Sequence, residues 1–547
     1  MKMPRNRMQR RDFLRTTALG SATLAVGDLS CSSTGDDKPN ILFILSDDLN
    51  DAITGFGGHP QAKTPNLDRL AKRGVWFTNA QVNSPVCGPS RASFLTGLYP
   101  HTSGYFGYNF HKSHWRYNPT LAGSVTFLDY FRENGYRVLG TGKIFHNNQE
   151  EWSSWDEFGV MPSWGPWPWD GTSDTEYSHG QLNPWGNATV HPDFAEHYEI
   201  GDIFGPLGNV PKVPSNPEKG IPGYDGWRLF HKPFRYVNEE DRDLMPDELN
   251  AKWASEKLGE SHDQPFLMCV GMNRPHEPMV APQKYFDMFP IDEIELAMIK
   301  EDDLDDCAGV LTRPGLYGLR RYRHYLKTGG EEMLKRWTQA YLANVAFVDE
   351  QIGKVLDALE RSRYADNTYI CFTSDNGYHM GEKSYIFKSS LWEESCRVPF
   401  IVAGPGVKKD AECEHPISLV DLYPTFIDLC NINSEANRSM NQQPLDGFSI
   451  TPFLNDPEHG SWDGPDGALT ALTSMDKLEL NEPGKVERQH YSLRTKQYRY
   501  VYCNNGEEEL YDHAQDPDEW YNLAFDTDYD KLRTQLLKQL MRLLHKS

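Results

Sequence analysis

The sequence predicts an α/β fold built on a large, mostly parallel β-sheet. Short, mainly apolar segments rich in β-branched and aromatic residues recur along the chain, at 40–46, 136–139, 266–270, 368–373 and 398–403. Such segments are typical of strands covered on both faces, because neither side of the strand meets water. Helical patterns separate the segments, and alternating strands and helices favour parallel pairing.

The helical patterns lie where connections between parallel strands are needed. Residues 66–74 end on a glycine, and residues 125–134 follow Ser124, a possible N-cap. Residues 334–359 space alanine and leucine at helical intervals. We therefore expect a helix in each of these three segments, with the first ending at Gly74.

Composition divides the chain into regions. Residues 1–37 are expected to be an export signal and linker, 38–464 the main α/β domain, and 465–547 a smaller C-terminal subdomain. Within the main domain, residues 150–235 hold seven of the fourteen tryptophans and are rich in Pro and Gly. We interpret this insertion as a loop that contacts substrate or packs on itself. In the subdomain, residues 491–502 alternate like a half-buried strand, and a helix ends the chain.

The N-terminus has the features of an export signal. Six basic residues precede a modest apolar stretch, 16–27, that is too short to span a bilayer. The sequence RRDFLR at 10–15 resembles a twin-arginine signal. Cys31 could be lipidated, although Asp28 stands where a lipobox has an aliphatic residue. We expect an exported protein, periplasmic or extracellular, without stable membrane insertion.

The charge balance excludes several classes of partner. Asp and Glu number 78 against 55 Lys and Arg, which gives a formal charge of −23. A chain this acidic lacks the dense basic surface that binds nucleic acid or anionic lipid. Nine cysteines without a CxxC pair make neither a zinc ribbon nor a disulfide framework.

Polar side chains follow four of the predicted strands at their carboxyl ends, where α/β sheets bind ligands. These side chains are Asp47, Asp48, Lys143, His146, His276, Asp375 and Asn376. An Asp after a strand can simply cap the next helix. Two pairs of oxygen ligands with a lysine and two histidines favour a site instead, and oxygen ligands suit Ca²⁺ or Mg²⁺ better than zinc.

Cys87 opens the segment CGPSRASFLTG, which spans residues 87–97. Pro89 presets the backbone for the first turn of a helix, so residue 87 is expected at a helix N-terminus. Backbone N–H groups and the helix dipole favour an anion there. The residues alone leave open a buried thiol, a thiol nucleophile or another role.

Several segments resemble the type I, formylglycine-dependent sulfatases. CGPSRASFLTG matches their CxPSR…TG motif, GYRVLGTGKIFH at 135–146 matches their second motif, and ELYDHAQDPDEWYNL at 509–523 is similar to their C-terminal region. The resemblance runs from about residue 38 to the C-terminus. Four further segments look like the iduronate-2-sulfatase-like branch, at 301–306, 348–356, 374–400 and 445–454.

The resemblance implies both a fold and a reaction. The fold would be an alkaline-phosphatase-like sandwich with a large mixed, mostly parallel sheet flanked by helices, plus a C-terminal antiparallel sheet and helix. A formylglycine-generating or anaerobic maturation enzyme would oxidise Cys87 to formylglycine. The hydrated aldehyde would attack the sulfur of a sulfated glycan, and its second hydroxyl would then expel sulfate. The enzyme would be a sulfuric ester hydrolase.

The resemblance also implies roles for individual residues. One Ca²⁺ would be held by Asp47, Asp48, Asp375, Asn376 and the modified residue 87. Arg91 and Lys143 would stabilise the developing alkoxide, and His146 would take a proton from the hydrate. Lys388 and His276 would bind the sulfate, and His276 would protonate the leaving sugar oxygen.

Two other functions fit the same residues. A phosphoester or phosphonate hydrolase of the same superfamily is one, although phosphatases commonly use two zinc ions with several histidine ligands. A non-catalytic glycan-binding protein with an unmodified Cys87 is the other. Further residues that could form sugar subsites receive no assignment: Arg274, His111, His324, Trp115 and the tryptophans of the insertion.

Overall fold

A computed structural model describes most of the chain after the predicted export signal. The described residues are 38–146, 149, 151–168, 204–209, 212–213, 224–230, 232–432, 444–474 and 478–544. The predicted signal and linker at 1–37, with Cys31, lie outside them, as do Trp169, Trp185 and most of residues 169–223 in the insertion. Within the described residues, no helix has the length and apolar character needed to cross a bilayer.

Eight strands form the main sheet. In chain order they are β1 Asn40–Asp47, β2 Gly74–Phe77, β3 Arg137–Gly142, β4 Glu157–Phe158, β5 Phe266–Pro275, β6 Thr368–Ser374, β7 Phe400–Ala403 and β8 Ala411–Cys413. Their spatial order is β8-β2-β7-β6-β1-β5-β3-β4. Four neighbouring pairs of strands, at the centre and towards one edge, are parallel: β6–β1, β1–β5, β5–β3 and β3–β4. The predicted large, mostly parallel sheet is confirmed.

Strand β1 shows why the central strands are apolar throughout. Leu42 and Ile44 point into one hydrophobic core, whereas Ile41, Phe43 and Leu45 point into a second core on the opposite face. Successive side chains of a strand alternate between its two faces. A strand between two cores must therefore be apolar at every position.

Three sequence-based expectations on strands and helix ends are wrong in detail. Pro399 divides the segment 398–403, which therefore forms two strands, Arg397–Val398 and β7, rather than one; β7 pairs antiparallel with β6, which makes the sheet mixed, as the resemblance implies. The segment 491–502 is two strands of a hairpin rather than one strand. The helix expected at 66–74 ends at Ala71, and Gly74 instead begins β2.

The longer helices are α1 Pro65–Ala71, α2 Cys87–Thr96, α3 Phe127–Glu133, α4 Pro246–Gly259, α5 Tyr317–Arg361, α6 Leu422–Leu429 and α7 Asp530–Leu544. Helix α5 contains the predicted 334–359 segment and is interrupted at Gly330. The N-cap of α3 is Thr126, not Ser124. The Thr126 hydroxyl accepts from the Asp129 backbone N–H, and the Asp129 carboxylate accepts in return.

Short elements complete the described structure. The short helices are Pro100–Ser103, Gln283–Phe286, Glu393–Cys396 and Thr451–Asn455. The short strands are Ala80–Gln81, Trp167–Pro168, Phe204–Pro206, Lys212–Val213, Tyr224–Asp225, Trp227–Leu229, Lys232–Phe234, Met279–Ala281, Arg397–Val398 and Ile417–Ser418.

A second, antiparallel sheet lies near the C-terminus. Its strands are β9 Ala468–Leu472, β10 His490–Arg494, β11 Tyr498–Tyr502 and β12 Glu508–Asp512, paired in chain order. Helix α7 covers this sheet because its buried leucines, Leu536, Leu540 and Leu544, lie four residues apart and share one core with Leu493 and Leu510. The expected C-terminal antiparallel sheet and helix are confirmed.

Candidate active site

Cys87 lies at the N-terminus of α2, as predicted. Val86 is the N-cap in an extended conformation, and the helix ends at Gly97, whose φ of 71° suits a residue without a side chain. The Cys87 side chain is 2% exposed. Lys388 Nζ lies 2.8 Å from its Sγ, and Asp48 Oδ1 lies 3.6 Å away. The thiol is therefore held between a cation and a carboxylate.

The register of β1 and β6 brings the two pairs of oxygen ligands together. Ser46 pairs with Ser374 in the parallel ladder, so the residues that follow each strand are neighbours. The Asp48 backbone N–H donates to Asp375 Oδ1 at 3.2 Å, and Asn376 Nδ2 donates to Asp48 Oδ1 at 2.8 Å. Asp48 has a φ of 63°, in the left-handed region. This turn carries its carboxylate towards Cys87.

Three buried cations face these carboxylates. Arg91 Nε donates to Asp375 Oδ2 at 2.7 Å, and its Nη2 lies 3.4 Å from Asp47 Oδ1. The Lys143 ammonium pairs with Asp47, and the Lys388 ammonium pairs with Asp48 at 2.5 Å. With three carboxylates and three cations, the formal charges of this group cancel.

The buried charges alter the proton affinity of their neighbours. Burial alone would raise the pKa of Asp47, but the positive charges of Lys143, His276 and Arg91 outweigh it and hold the pKa well below its usual value. Burial raises the pKa of Asp375 to about 6 against the opposing effect of Arg91. Burial, with the charge of Asp375, raises the pKa of the Cys87 thiol well above its usual value. An unmodified Cys87 is thus a neutral thiol and a poor nucleophile.

Both predicted histidines lie beside the Trp164 indole, with ring centroids 6.1 Å from it for His146 and 5.0 Å for His276. Burial, followed by the charges of Lys143 and Arg91, lowers the pKa of His146 well below its usual value, so its imidazole is neutral. His146 Nδ1 has no hydrogen-bond partner among the described residues. His276 Nδ1 lies 2.7 Å from the Glu277 carbonyl, and its Nε2 lies 3.7 Å from Asp48 Oδ2. A neutral imidazole and an oriented one suit proton transfer.

The site offers ligand atoms for a metal ion. Asp47, Asp48, Cys87 and His276 each offer a ligand atom within 4.8 Å of the others. Asn376 Oδ1 is buried and has no hydrogen-bond partner among the described residues, although a buried amide oxygen normally has one. A dication beside Asn376 would satisfy this oxygen. It would also turn the cancelled charge of the group into a net positive charge suited to an anionic ligand.

A cavity of about 920 Å³ opens above Cys87. Its floor contains Asp48, Cys87, His146, His276 and Lys388. Its walls include seven aromatic side chains: Tyr108, Trp164, Trp167, Tyr317, Tyr385, Phe387 and Trp392. Size, concavity and apolar walls with few charged groups are typical of a ligand site.

All the predicted site residues meet at this cavity floor or directly beneath it: Asp47, Asp48, Cys87, Arg91, Lys143, His146, His276, Asp375, Asn376 and Lys388. Among the residues left unassigned, Trp115 is buried beside Phe145, and Arg274 is buried behind His276. Sequence reasoning missed Tyr108 and Trp164. The only signal for Trp164 was its position in a tryptophan-rich insertion.

Comparison with known proteins places this geometry in a family. The family model described as Sulfatase matches residues 39–432, and the model described as N-sulphoglucosamine sulphohydrolase, C-terminal, matches residues 381–546. A sulfatase of Formosa agariphila is 32% identical over 511 residues, which cover 92% of this chain and 86% of that protein. Iduronate 2-sulfatase of Mus musculus is 29% identical over 401 residues, covering 71% of this chain and 63% of that protein.

The fold is also found in solved structures. Phosphonate monoester hydrolase of Agrobacterium radiobacter aligns with a TM-score of 0.65 at 21% identity, over 92% of this chain and 95% of that chain. Identity this low shows only that the fold is shared. The reaction is assigned from the family match instead. Because the sulfatase model covers most of the chain and the site residues of the motif meet at one cavity, the chain belongs to the sulfatase family and is a sulfuric ester hydrolase.

Proposed function

We propose that the protein is an exported sulfatase that hydrolyses a sulfate ester of a sulfated carbohydrate, with residue 87 as a formylglycine nucleophile. The carrying observation is the placement of Cys87. Its Sγ lies 2.8 Å from Lys388 Nζ at the cavity floor, beside the paired oxygen ligands of β1 and β6. A group attached there would meet an anion-binding cation and the helix N-terminus together.

Maturation of Cys87 would precede folding. The side chain is 2% exposed at the bottom of the cavity, so a modifying enzyme could not reach it in the folded chain. The oxidising partner would be a formylglycine-generating or an anaerobic maturation enzyme acting on the motif at 87–97. The neutral thiol of an unmodified Cys87 would not perform the reaction.

The first half of the reaction transfers the sulfuryl group. One hydroxyl of the hydrated residue 87 attacks sulfur, and neutral His146 takes its proton. The bond between sulfur and the sugar oxygen breaks with its electron pair on that oxygen. His276, whose Nε2 faces the cavity floor, supplies the proton that the leaving sugar oxygen needs. Arg91 and Lys143 stabilise the negative charge that develops near residue 87.

The second half releases sulfate. The remaining hydroxyl of residue 87 gives its proton to His276, which lost its own in the first half, its oxygen forms the aldehyde double bond, and the bond from carbon to the sulfate oxygen breaks. His146 passes the proton that it took in the first half to solvent. Water adds to the aldehyde and restores the hydrate. One water molecule is consumed per turnover, and no water has to attack a hindered sulfate ester.

A divalent cation completes the site. Asp47, Asp48, Asp375 and Asn376 would hold it together with the modified residue 87, and the oxygen ligands favour Ca²⁺. When bound, the ion polarises sulfate oxygens and lowers the pKa of the hydrate. The unpartnered Asn376 Oδ1 supports this assignment.

The cavity supports an acidic glycan as substrate. The aromatic rings of Trp167, Tyr317 and Phe387 give it faces on which sugar rings can pack. Lys112 and Arg313 also line the cavity and are exposed, so both can reach an anion of the substrate. A carboxylate or a second sulfate on the glycan would suit them. The relationship to an iduronate 2-sulfatase agrees with this substrate class.

The runner-up function is hydrolysis of a phosphoester or phosphonate, which the fold shared with phosphonate monoester hydrolase favours. Hydrolysis of aryl sulfate, aryl phosphate and aryl phosphonate by the matured protein separates the two. We expect the highest kcat/KM on the sulfate. A higher kcat/KM on the phosphonate would overturn the sulfatase proposal, and binding of glycan without turnover of any ester would indicate the non-catalytic alternative.

We propose export because residues 1–37 have the features of an export signal. We place the boundary of the C-terminal subdomain near residue 465 because the sequence composition changes there. Fractionation of cells that express the full chain tests export. Replacement of Arg10 and Arg11 by lysine should retain the protein in the cytoplasm, whereas replacement of Lys2 by arginine should not. Unchanged export of the double variant would exclude the twin-arginine route.

A further inference from the structure

Trp164 occupies a central place among the proposed catalytic groups. Its indole stacks on the His276 imidazole with ring centroids 5.0 Å apart and planes 7° from parallel. Its Nε1 donates to Asp47 Oδ2 at 3.2 Å. The Lys143 Nζ lies 4.8 Å from the indole centroid. One side chain of the insertion therefore contacts a metal-ligand candidate, a catalytic lysine and the proposed general acid.

A buried arginine fastens Trp164 to the segment that carries His276. Arg274 is 1% exposed. Its Nη1 donates to the Trp164 carbonyl at 2.8 Å, and its Nη2 donates to the Gly165 carbonyl at 2.9 Å. The same guanidinium reaches the carbonyls of His276 at 3.4 Å and Val280 at 3.3 Å. The two segments are more than one hundred residues apart in sequence, and Arg274 ties them together.

The His276 ring is restrained from two directions. The hydrogen bond between Nδ1 and the Glu277 carbonyl fixes the rotation of the ring, and the Trp164 face fixes its plane. His276 lines the cavity, and its Nε2 lies 3.7 Å from Asp48 Oδ2. A general acid must hold its proton in line with the leaving oxygen, and small misplacements of a catalytic group cost large factors in rate.

We infer that Trp164, held by Arg274, is a positioning residue for His276 in protonation of the leaving group. This inference rests on the proposed function of His276 as general acid. It predicts that the effect of replacing Trp164 depends on the leaving group of the substrate. A sugar or alkyl sulfate has a poor leaving group that needs the proton, whereas 4-nitrophenyl sulfate releases a stable phenolate that needs it much less.

The test compares Trp164→Met, Trp164→Phe and His276→Ala on an alkyl sulfate and on 4-nitrophenyl sulfate. We expect His276→Ala to lower kcat on the alkyl sulfate by about 10²-fold or more and on the aryl sulfate far less. Trp164→Met, which loses the aromatic face, should show the same selectivity at about tenfold or more. Trp164→Phe keeps a stacking face and should restore most of the kcat on the alkyl sulfate.

Controls separate positioning from general damage. Trp152 lies in the same insertion, is 49% exposed, and its replacement by methionine should leave both rates unchanged. Arg274→Lys gives a second variant, should Trp164→Met not fold, and should move the ratio of the two rates in the same direction. An equal loss on both substrates for Trp164→Met, or no loss, would overturn the inference. An equal loss for His276→Ala would instead refute the proposed role of His276.

Discussion

The molecule has two clusters of buried charged side chains. Their residue types are similar, but they differ in whether the buried polar atoms in and around them all have hydrogen-bond partners. The first, here called the catalytic cluster after its proposed role, consists of Asp47, Asp48, Arg91, Lys143, Asp375 and Lys388. The second, here called the C-terminal ion network, consists of Glu393, Arg494, Arg499, His513 and Glu519. Each has carboxylates in reach of guanidinium or ammonium groups, and each includes side chains close enough together to suggest a metal site.

The C-terminal ion network is internally satisfied. Arg499 Nε donates to Glu519 at 2.5 Å, and its other nitrogens donate to the Leu391 carbonyl, the Ser492 hydroxyl and Glu393. His513 Nε2 lies 2.9 Å from Glu519 Oε1. A cation added here would displace partners that the carboxylates already have. The network therefore joins the C-terminal sheet to the short helix Glu393–Cys396, which directly follows the cavity-lining residue Trp392.

The catalytic cluster borders atoms that are left without partners. Asn376 Oδ1 and His146 Nδ1 are buried and make no hydrogen bond among the described residues, and both lie beside the carboxylates. Buried polar atoms without partners are costly, and folded proteins keep them where function uses them. The two clusters therefore differ in the presence of unpartnered atoms next to the proposed metal ligands rather than in the number of their charges.

The largest expected effect is on residue 87. Cys87→Ala should lower the rate of aryl sulfate hydrolysis by about 10⁴-fold or more, because no nucleophile remains. Steady-state kinetics on the matured protein measure it. Cys371→Ala, a buried cysteine in β6, is the matched control and should retain activity. Comparable activity of Cys87→Ala and the parent protein would exclude residue 87 as the nucleophile.

A smaller loss is expected for Lys388, which lies at the cavity floor. Lys388→Ala should reduce kcat/KM on aryl sulfate by about 10²- to 10³-fold, the effect of removing one preorganised donor to a developing anion. Lys354→Ala removes a half-exposed lysine of α5 and should change nothing. If Lys388→Ala keeps full kcat/KM, its contact with Cys87 is structural and the assignment to sulfate binding is wrong.

Breaking the C-terminal ion network should affect stability instead of chemistry. Arg499→Met leaves Glu393 and Glu519 buried without their main cation, which should lower the free energy of unfolding by about 3–5 kcal/mol. Urea denaturation measures this loss, with Arg336→Met, an exposed arginine of α5, as control. Below the unfolding transition, kcat should stay near that of the parent protein. If Arg499→Met keeps its stability but loses kcat, the C-terminal ion network contributes to catalysis and the distinction between the two clusters is wrong.

The smallest expected effect is the acid sensitivity of the same network. Burial alone would raise the pKa of Glu519, but the charges of Arg499 and His513 outweigh it and lower the pKa to about 2 from a usual value of 4.5. The folded state therefore binds fewer protons than the unfolded state in this range. The stability contributed by Glu519, about 3 kcal/mol, is fully present above pH 4.5 and is lost as the pH falls towards 2.

Glu519→Gln tests this pH dependence. The variant cannot titrate, so its free energy of unfolding should fall less steeply between pH 4.5 and 2 than that of the parent protein. Glu487→Gln, an exposed glutamate, should keep the parent slope. Identical slopes for Glu519→Gln and the parent protein would show that the pKa of Glu519 is not depressed in the folded state.

The site was more predictable than the details of the fold. Asp47 and Asp375 could be placed together from sequence because both end buried strands, and parallel strands carry their ends to one edge of the sheet. Local periodicity did not reveal that β7 runs antiparallel, since pairing direction depends on distant segments. The polar residues 494–497 lie at the turn between β10 and β11, and they were the missed indication that 491–502 forms a hairpin.

The contacts of Trp164 were beyond sequence reasoning. Its partners His276 and Asp47 lie more than one hundred residues away on either side, and no local pattern links them. The same holds for the contacts of Arg499 with the Leu391 carbonyl and Glu393, which lie more than one hundred residues before it. Motifs locate the reacting groups, whereas the groups that orient and support them depend on tertiary packing.

The central claim is that residue 87 acts as a formylglycine. Mass spectrometry of the tryptic peptide that spans residues 74–91, taken from active protein produced with a maturation enzyme, tests it directly. The account predicts a peptide that has lost its thiol and carries an aldehyde, in a fraction that rises in proportion to sulfatase activity across preparations. Full activity in protein whose residue 87 is entirely an unmodified cysteine would contradict the account.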